Sequence, residues 1–367
     1  MKQIAPILLF ALLSGCMATT PMKQKSVHIP MGEEYIPSDE AEQIDQIVAI
    51  HREVQEHVDR KLTPVPRGQH PKQHGCVRAI FVVEPHLPAN LRHGIFSEPR
   101  SYQALIRFSN GKQSDDRLPD AHGMAIKLLG VDGEKVLATE INARTQDFIM
   151  IDHPVFFVRN VADYVPLMRD FRRLSMGNIF SKGATGLKFL FSLNYKHHIL
   201  RQTGAKRPDS PLAIRYWSTT PSKLGPLAMK FSARPAGTGG SPAARLDSKD
   251  KLRLALSEHL MRHEARFDFL VQIQTDPVTM PVEDPTVLWD EAASPYIKVA
   301  TIRIPVQSFE SDEQMALGEN LSYTPWHSLP DHRPLGGINR ARREVYEAIA
   351  ARRHELNGVP MHEPDDK

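Results

Sequence analysis

Residues 77–83 read Val-Arg-Ala-Ile-Phe-Val-Val, and residues 104–108 read Ala-Leu-Ile-Arg-Phe. Both runs are short, rich in β-branched and large apolar side chains, and bounded by turn-forming residues, a pattern typical of β-strands. Four more runs of this kind lie at 123–129, 228–233, 267–274 and 296–304. Six short strands with long irregular connections predict an antiparallel barrel or sandwich rather than a parallel sheet with alternating helices.

Helical patterns flank these strands. Residues 39–61 carry apolar side chains at helical spacing and predict an amphipathic helix. Its apolar face comprises Ile44, Ile47, Val48, His51, Val54 and Val58. Residues 161–202 and 337–356 are also predicted to be helical, and the Gly/Pro/Ser-rich stretch 235–244 is predicted to be an exposed loop. The expected fold class is therefore α+β, with one large domain over residues 39–360.

Composition narrows the class of protein. The chain has 367 residues, of which 41% are hydrophobic and 24% charged, so it can bury a sizeable core in one large domain or two ordinary ones. Lys and Arg number 46 against 43 Asp and Glu, a net charge of +3. An excess this small, without a long basic run, argues against nucleic acid as the main partner. Two cysteines exclude a disulfide framework and a cysteine-rich zinc module.

The amino terminus has the features of an export signal. A positive start precedes an apolar run over residues 4–13, which is too short to span a bilayer, and Leu-Ser-Gly-Cys follows, ending at Cys16. This ending resembles the lipobox of bacterial lipoproteins. The resemblance implies a signal peptide over 1–15, acylation of Cys16 and a tether over 16–38. Met17 in place of Asp points to the periplasmic side of the outer membrane, with a membrane contact through the lipid anchor.

Four segments that could carry chemistry follow one another along the chain: Arg67-x-x-His70-x-Lys72, Arg107-Phe108-Ser109, Pro154-x-Phe156-Phe157-x-Arg159 and Arg342-x-x-x-Tyr346. In this order they resemble the catalases, and the resemblance covers about residues 60–356. It is closest to the short, divergent bacterial catalase-like proteins. What it implies is a catalase-like antiparallel β-barrel with flanking helices, no C-terminal flavodoxin-like domain, and a haem b cofactor.

The resemblance assigns the haem contacts. Tyr346 matches the axial ligand of the ferric haem iron, a role that tyrosine has in catalase. Arg342 lies one helical turn before it, where a guanidinium favours the charged phenolate. Arg67, Arg107 and Arg353 match the arginines that meet the haem propionates. Arginine suits this role because a guanidinium binds a carboxylate through two parallel hydrogen bonds. Tyr164 falls where catalases place an aromatic side chain over the haem.

Peroxide chemistry also requires an acid/base group near the iron. His70 matches the distal histidine and Ser109 the serine that orients its ring. Asp152 stands where catalases have Asn, and an ionised carboxylate accepts hydrogen bonds but cannot donate one to a peroxide oxygen. One additional residue between His70 and the next strand leaves His74 as an alternative distal base.

The expected activity is that of a haem-dependent, peroxide-consuming oxidoreductase of the catalase or peroxidase class, acting on hydrogen peroxide or an organic hydroperoxide. Two alternatives remain open: a hydroperoxide-converting haem enzyme similar to allene oxide synthases, and a non-enzymatic haem-binding lipoprotein. Neither the electron donor nor the oligomeric state is determined by the sequence.

Overall fold

The computed structural model describes residues 29–57, 59–237 and 247–364. The predicted signal peptide, Cys16 and most of the predicted tether lie outside the described residues, as do Val58 and most of the predicted loop 235–244. No helix in the described ranges is both long enough and apolar enough to cross a bilayer.

The centre of the molecule is a closed antiparallel β-barrel, which confirms the fold class predicted from the sequence. Eight strands form the ring, because β5 pairs with both β4 and β7, and β9 pairs back to β1. A short ninth strand, β6, pairs with β7 outside the ring. The strands are β1 (Gln73–Val83), β2 (Ser101–Asn110), β3 (His122–Leu129), β4 (Thr145–Ile151), β5 (Tyr216–Trp217), β6 (Ser222–Leu224), β7 (Leu227–Pro235), β8 (Ala265–Ile273) and β9 (Ile297–Ile304).

Aromatic side chains fill the barrel interior. Phe269 is central, with its ring centroid 5.0 Å from that of Phe81 and 4.8 Å from that of Phe148. Phe231 packs 5.1 Å from Phe148, so four different strands contribute to one cluster. An eight-stranded barrel is just wide enough for side chains to fill it. The interior is therefore a packed core, and the functional cavity lies elsewhere.

Seven helices surround the barrel in the described part of the chain: α1 (Glu40–His57), α2 (Val161–Met176), α3 (Ile179–Phe191), α4 (Tyr195–Thr203), α5 (Lys251–Leu260), α6 (Asp312–Asn320) and α7 (Gly337–Asn357). Helices α1, α2 and α7 pack on one another through an apolar cluster that includes Ile47, Val165 and Ala341. This cluster holds α7, which carries the predicted iron ligand, beside the barrel.

The segment 161–202, predicted to be helical, forms three separate helices, α2, α3 and α4. The chain breaks at Gly177 and again near Leu193, and each new helix starts at an asparagine whose side chain caps it. Asn178 accepts from the amide of Ser181, and Asn194 accepts from the amide of Lys196. Asparagine caps a helix by satisfying an amide that has no partner within the helix. The sequence analysis also missed β4, β5, β6, α5 and α6.

Candidate functional site

A cavity of about 860 Å³, counting its open mouth, lies between the outer surface of the barrel and helices α1 and α7. Alternation along β2 explains the barrel side of its lining. Phe108 points inward, 6.5 Å from Phe267, so Arg107 and Ser109 on either side of it point outward. The remaining lining comes from residues 67–70, strands β3 and β4, residues 321–323, His51 of α1 and α7.

His70 lies at the barrel side of this cavity. Its Nδ1 is 3.1 Å from Oγ of Ser109, and its backbone has φ of 53°, a conformation uncommon outside glycine. Burial lowers the pKa of His70 to about 4, an effect reinforced by Arg107 and Arg67 and opposed by Asp120 and Asp152. The ring is therefore neutral at physiological pH. When Nδ1–H donates to Ser109, Nε2 is left as the acceptor that a base needs.

His74, the alternative base, is absent from the cavity lining. It is buried, its Nε2 is 2.9 Å from Oδ1 of Asn110, and its Nδ1 lies 3.8 Å from a carboxylate oxygen of Asp116. Its Nε2 is therefore engaged in the wall, and its Nδ1 is buried without a hydrogen-bond partner among the described residues. The placement of the two side chains favours His70 as the group that meets a ligand.

Three arginines converge at one end of the cavity. Arg67 and Arg353 both pair with Glu319, at 2.8 Å and 3.6 Å, and Arg107 donates to the carbonyl of Leu321. Among the described residues, Glu319 is the carboxylate that Arg67 and Arg353 share. Three cations therefore meet one anion at this end of the cavity, and two positive charges stay unbalanced. Burial and the Arg107 charge lower the pKa of Arg67 to about 9, although Glu319 opposes them. Such a cluster favours a ligand with two negative charges.

Tyr346 lines the helix side of the same cavity. Nη2 of Arg342 donates to its phenolic oxygen at 3.4 Å, and the guanidinium carbon lies 5.4 Å from the ring centroid. Arg342 is held in place by Thr220 and Asn339, to which its Nη1 donates at 3.1 Å and 3.2 Å. The predicted arginine–tyrosine pair is thus formed, with a fixed cation beside the phenol.

Three predicted site residues lie outside the cavity lining: Arg342, which contacts Tyr346, and the residues Tyr164 and Asp152. Tyr164 of α2 packs against the Phe156–Phe157 pair, and its ring centroid lies 6.1 Å from that of Phe156 and 5.9 Å from that of Phe157. Burial and the neighbouring Tyr346 raise the pKa of Tyr164. Asp152 is buried next to strand β4, and its Oδ2 lies 2.8 Å from Nδ1 of His122. Its Oδ1 is 3.6 Å from the ammonium of Lys206.

The sequence analysis missed two cavity residues. Tyr323 lies under the guanidinium of Arg107, 4.4 Å from ring centroid to carbon. His51 belongs to the apolar face of α1, and its Nε2 is buried with no hydrogen-bond partner among the described residues. Burial and the Lys112 charge lower the pKa of His51 to about 4. A histidine on an otherwise apolar helix face was the available sequence signal for this position.

A second cluster of possible metal ligands lies elsewhere. Atoms of Glu140, His327 and Glu363 all lie within 4.8 Å of one another. The ammonium of Lys127 is 2.5 Å from Glu363 and 2.8 Å from Asp147, so a cation of the chain itself already neutralises the cluster. We interpret it as a structural charge network.

Comparison with solved structures identifies the fold as that of the catalases. A fungal catalase matches with a TM-score of 0.59 at 16% identity, covering 80% of this chain and 61% of its own length. Catalase A of Saccharomyces cerevisiae matches with a TM-score of 0.58 at 15% identity, covering 91% and 70%. A bacterial catalase gives 0.57 at 14%, covering 98% and 71%. No protein-family model and no curated protein sequence matches the chain.

The cavity residues fit a haem. A haem carries two carboxylates, an apolar macrocycle and an iron with axial positions. The chain offers two unbalanced positive charges at one end, apolar side chains such as Ile149 and Ile349 along the walls, and Tyr346 as an oxygen donor.

Proposed function

We propose that the protein binds haem b in this cavity and consumes peroxide as an oxidoreductase of the catalase or peroxidase class. One observation carries the proposal. A single cavity brings together His70 with Ser109 on the barrel side, Tyr346 on the helix side, and three converging arginines, and Arg342 donates to the phenolic oxygen of Tyr346 from outside the lining. The catalase fold is consistent with it, but at 14–16% identity that likeness concerns the fold alone.

In this proposal Tyr346 holds the ferric iron, and Arg67, Arg107 and Arg353 hold the propionates. The haem iron supplies the electron transfer with peroxide. His70 accepts a proton from one peroxide oxygen at Nε2 and returns it to the other, and Ser109 keeps the ring oriented. With a pKa of about 4 the imidazole is neutral, so the acceptor nitrogen is available throughout the physiological range.

A second candidate is conversion of an organic hydroperoxide, and Asp152 is the residue that favours it. Catalases have Asn at this position, whereas here a carboxylate is bound by His122 and faces Lys206. It therefore offers no amide donor to hydrogen peroxide. Oxygen release from hydrogen peroxide would support catalase activity. Products from fatty-acid hydroperoxides without oxygen release would support the second candidate. If the protein catalyses neither reaction, the remaining alternative is a haem-binding protein without enzymatic activity.

The substitution Tyr346→Phe tests the haem ligand. It removes the phenolic oxygen with little change in volume, so we expect the purified variant to lose stable haem binding or its tyrosinate-type absorption spectrum. Tyr323→Phe is the matched control, because Tyr323 lines the same cavity yet hydrogen-bonds to the wall at Leu105. An unchanged spectrum in the Tyr346 variant, or a lost spectrum in the Tyr323 variant, would contradict the assignment.

We further propose that the protein is exported and held at the periplasmic side of the outer membrane by acylation at Cys16. The support is the apolar run followed by Leu-Ser-Gly-Cys in the sequence. Two or three acyl chains at one residue would anchor the protein stably.

A further inference from the structure

Helix α3 exposes an apolar face. Phe180, Leu187 and Phe191 are exposed by 85%, 58% and 72%, and Leu193, in the turn after the helix, by 96%. Ala184 is also exposed. Phe180, Ala184, Leu187 and Phe191 occupy positions i, i+4, i+7 and i+11 of the helix, so these four residues form one stripe. Ile179 and Leu190 widen this stripe, with exposures of 80% and 60%. We call these residues the α3 face.

The helix is held to the protein by its opposite side. Thr185 is buried there, and Phe189 packs 5.6 Å from Phe171 of α2 and 4.6 Å from His197 of α4. The orientation of α3 is therefore set by packing, and the α3 face points away from the molecule. Contiguous apolar surface of this kind on a folded protein commonly marks an interaction site.

The stretch of sequence that contains the α3 face carries an excess of positive charge. Residues 171–208 contain no Asp or Glu and eight Lys or Arg: Arg172, Arg173, Lys182, Lys188, Lys196, Arg201, Lys206 and Arg207. Four of these cations pair with carboxylates outside the stretch: Arg172 with Glu53, Arg173 and Lys188 with Asp170, and Lys206 with Asp152. Lys182 is exposed and has no ion pair within the described residues. At about 100° per residue, Lys188 borders the apolar stripe beside Ala184, and Lys182 lies beyond Ile179 and Leu190, near Phe189.

We propose that the α3 face docks on the surface of a phospholipid bilayer with anionic headgroups. An apolar stripe with lysines on the same helix, lying against a folded body, is the arrangement that inserts into the boundary between headgroups and acyl chains. Each cation near an anionic surface strengthens such binding about five-fold. This contact is separate from the acylation of Cys16 and from haem binding.

A second copy of the chain fits the α3 face less well. In a two-fold symmetric dimer the same surface meets itself. The acid-free stretch 171–208 would then face its own copy, bringing cation against cation with no carboxylate of that stretch between them. An anionic bilayer balances the same charges. The charge pattern therefore favours lipid over self-association.

The test places a fluorescent reporter on the α3 face of the full chain. Leu187→Cys is labelled with an environment-sensitive dye and mixed with vesicles of equal parts phosphatidylglycerol and phosphatidylcholine. Leu288→Cys is the matched control, because Leu288 has 61% exposure against 58% for Leu187 and lies in a different loop. The labelled parent chain corrects for Cys16 and Cys76, of which Cys76 is buried.

We expect the emission at position 187 to shift to shorter wavelength and to become protected from an aqueous quencher, whereas position 288 does not change. Lys182→Gln, combined with the reporter at 187, should require about five times more anionic lipid for the same shift. An unchanged emission at position 187 would overturn the proposal. A shift that grows with protein concentration without vesicles, together with a doubled mass in light scattering, would assign the face to a second copy and overturn it equally.

Discussion

His70 shows how the surrounding residues shape one candidate catalytic side chain. Its positive φ is held by a hydrogen bond from its own amide to the carbonyl of Gly111. Gly123 leaves the space for its ring, because a Cβ at that position would lie 2.7 Å from Cε1 and Nδ1 of His70. Backbone strain of this kind persists where the surroundings over-determine it, and it is frequent at functional sites.

Replacing each of the two histidines tests the distal base. His70→Gln removes the proton acceptor in the cavity, so the rate of peroxide consumption should fall about 100-fold or more while the haem spectrum stays tyrosinate-like. His74→Gln keeps a polar side chain beside Asn110 and should retain most of the parent rate. Rates are compared at equal haem occupancy. If His74→Gln has the larger loss, the assignment of His70 is wrong.

The environment of Asp152 could not be predicted from sequence. Its partner His122 lies 30 positions earlier, and antiparallel pairing of β3 with β4 brings the two side chains together. The carboxylate of Asp152 also acts on His70. Its charge raises the pKa of His70, but burial outweighs it, so the imidazole is neutral with or without Asp152.

At the scale of elements, the C-terminal segment is tied to the barrel by a buried charge network. His327 lies 2.8 Å from Asp147 of β4 and 2.7 Å from Glu140, while Lys127 of β3 pairs with Glu363 near the end of the described chain. Burial and the Lys127 charge lower the pKa of His327, but the carboxylates outweigh them and raise it to about 9. The imidazolium is therefore part of the folded structure at neutral pH.

This network predicts a pH-dependent cost of the substitution His327→Gln. A histidine whose pKa is about 9 when folded and 6.5 when unfolded stabilises the fold fully below pH 6.5, and this contribution is lost as pH rises through 9. The upper limit is about 3 kcal/mol. We expect the difference in free energy of unfolding between parent and variant to be largest below pH 6.5 and smallest above pH 9.

Denaturant titrations of both chains across this range measure the difference directly. The comparison is necessary because burial lowers the pKa of Lys230 to about 7, which makes stability rise with pH in parent and variant alike. His86→Gln, at an exposed histidine, is the control and should leave the profile of the parent unchanged. A pH-independent difference for His327→Gln would show that His327 is not protonated in the fold.

In the whole molecule, the barrel forms the packed core, and the helices outside it complete the candidate site. The barrel interior is closed by aromatic packing, and the candidate site occupies the gap between its outer surface and α7. Contacts that join distant parts of the chain maintain this gap. Arg67 and Arg353, 286 positions apart, share Glu319, and Val65 accepts and donates hydrogen bonds with the side chain of Asn357. The site therefore depends on the complete fold.

The proposed anchor is tested on the same scale. Cys16→Ser should abolish incorporation of labelled palmitate in growing bacteria, because the acyl chains are attached at this cysteine. Cys76→Ser is the matched control and should keep full labelling, since Cys76 is buried against Tyr323. Labelling that persists in the Cys16 variant, or that disappears in the Cys76 variant, excludes acylation at Cys16.

Local sequence patterns are enough to predict the strand-rich class, the main helical segments and the order of the chemical motifs. These properties rest on local spacing: alternation along a strand, helical periodicity in α1 and α7, and Arg342 one turn before Tyr346. Tertiary structure alone decided which of His70 and His74 faces the cavity, that Asp152 pairs with His122, and that His51 and Tyr323 belong to the lining. Those outcomes depend on strand register and on packing between segments up to three hundred positions apart, which local sequence patterns do not encode.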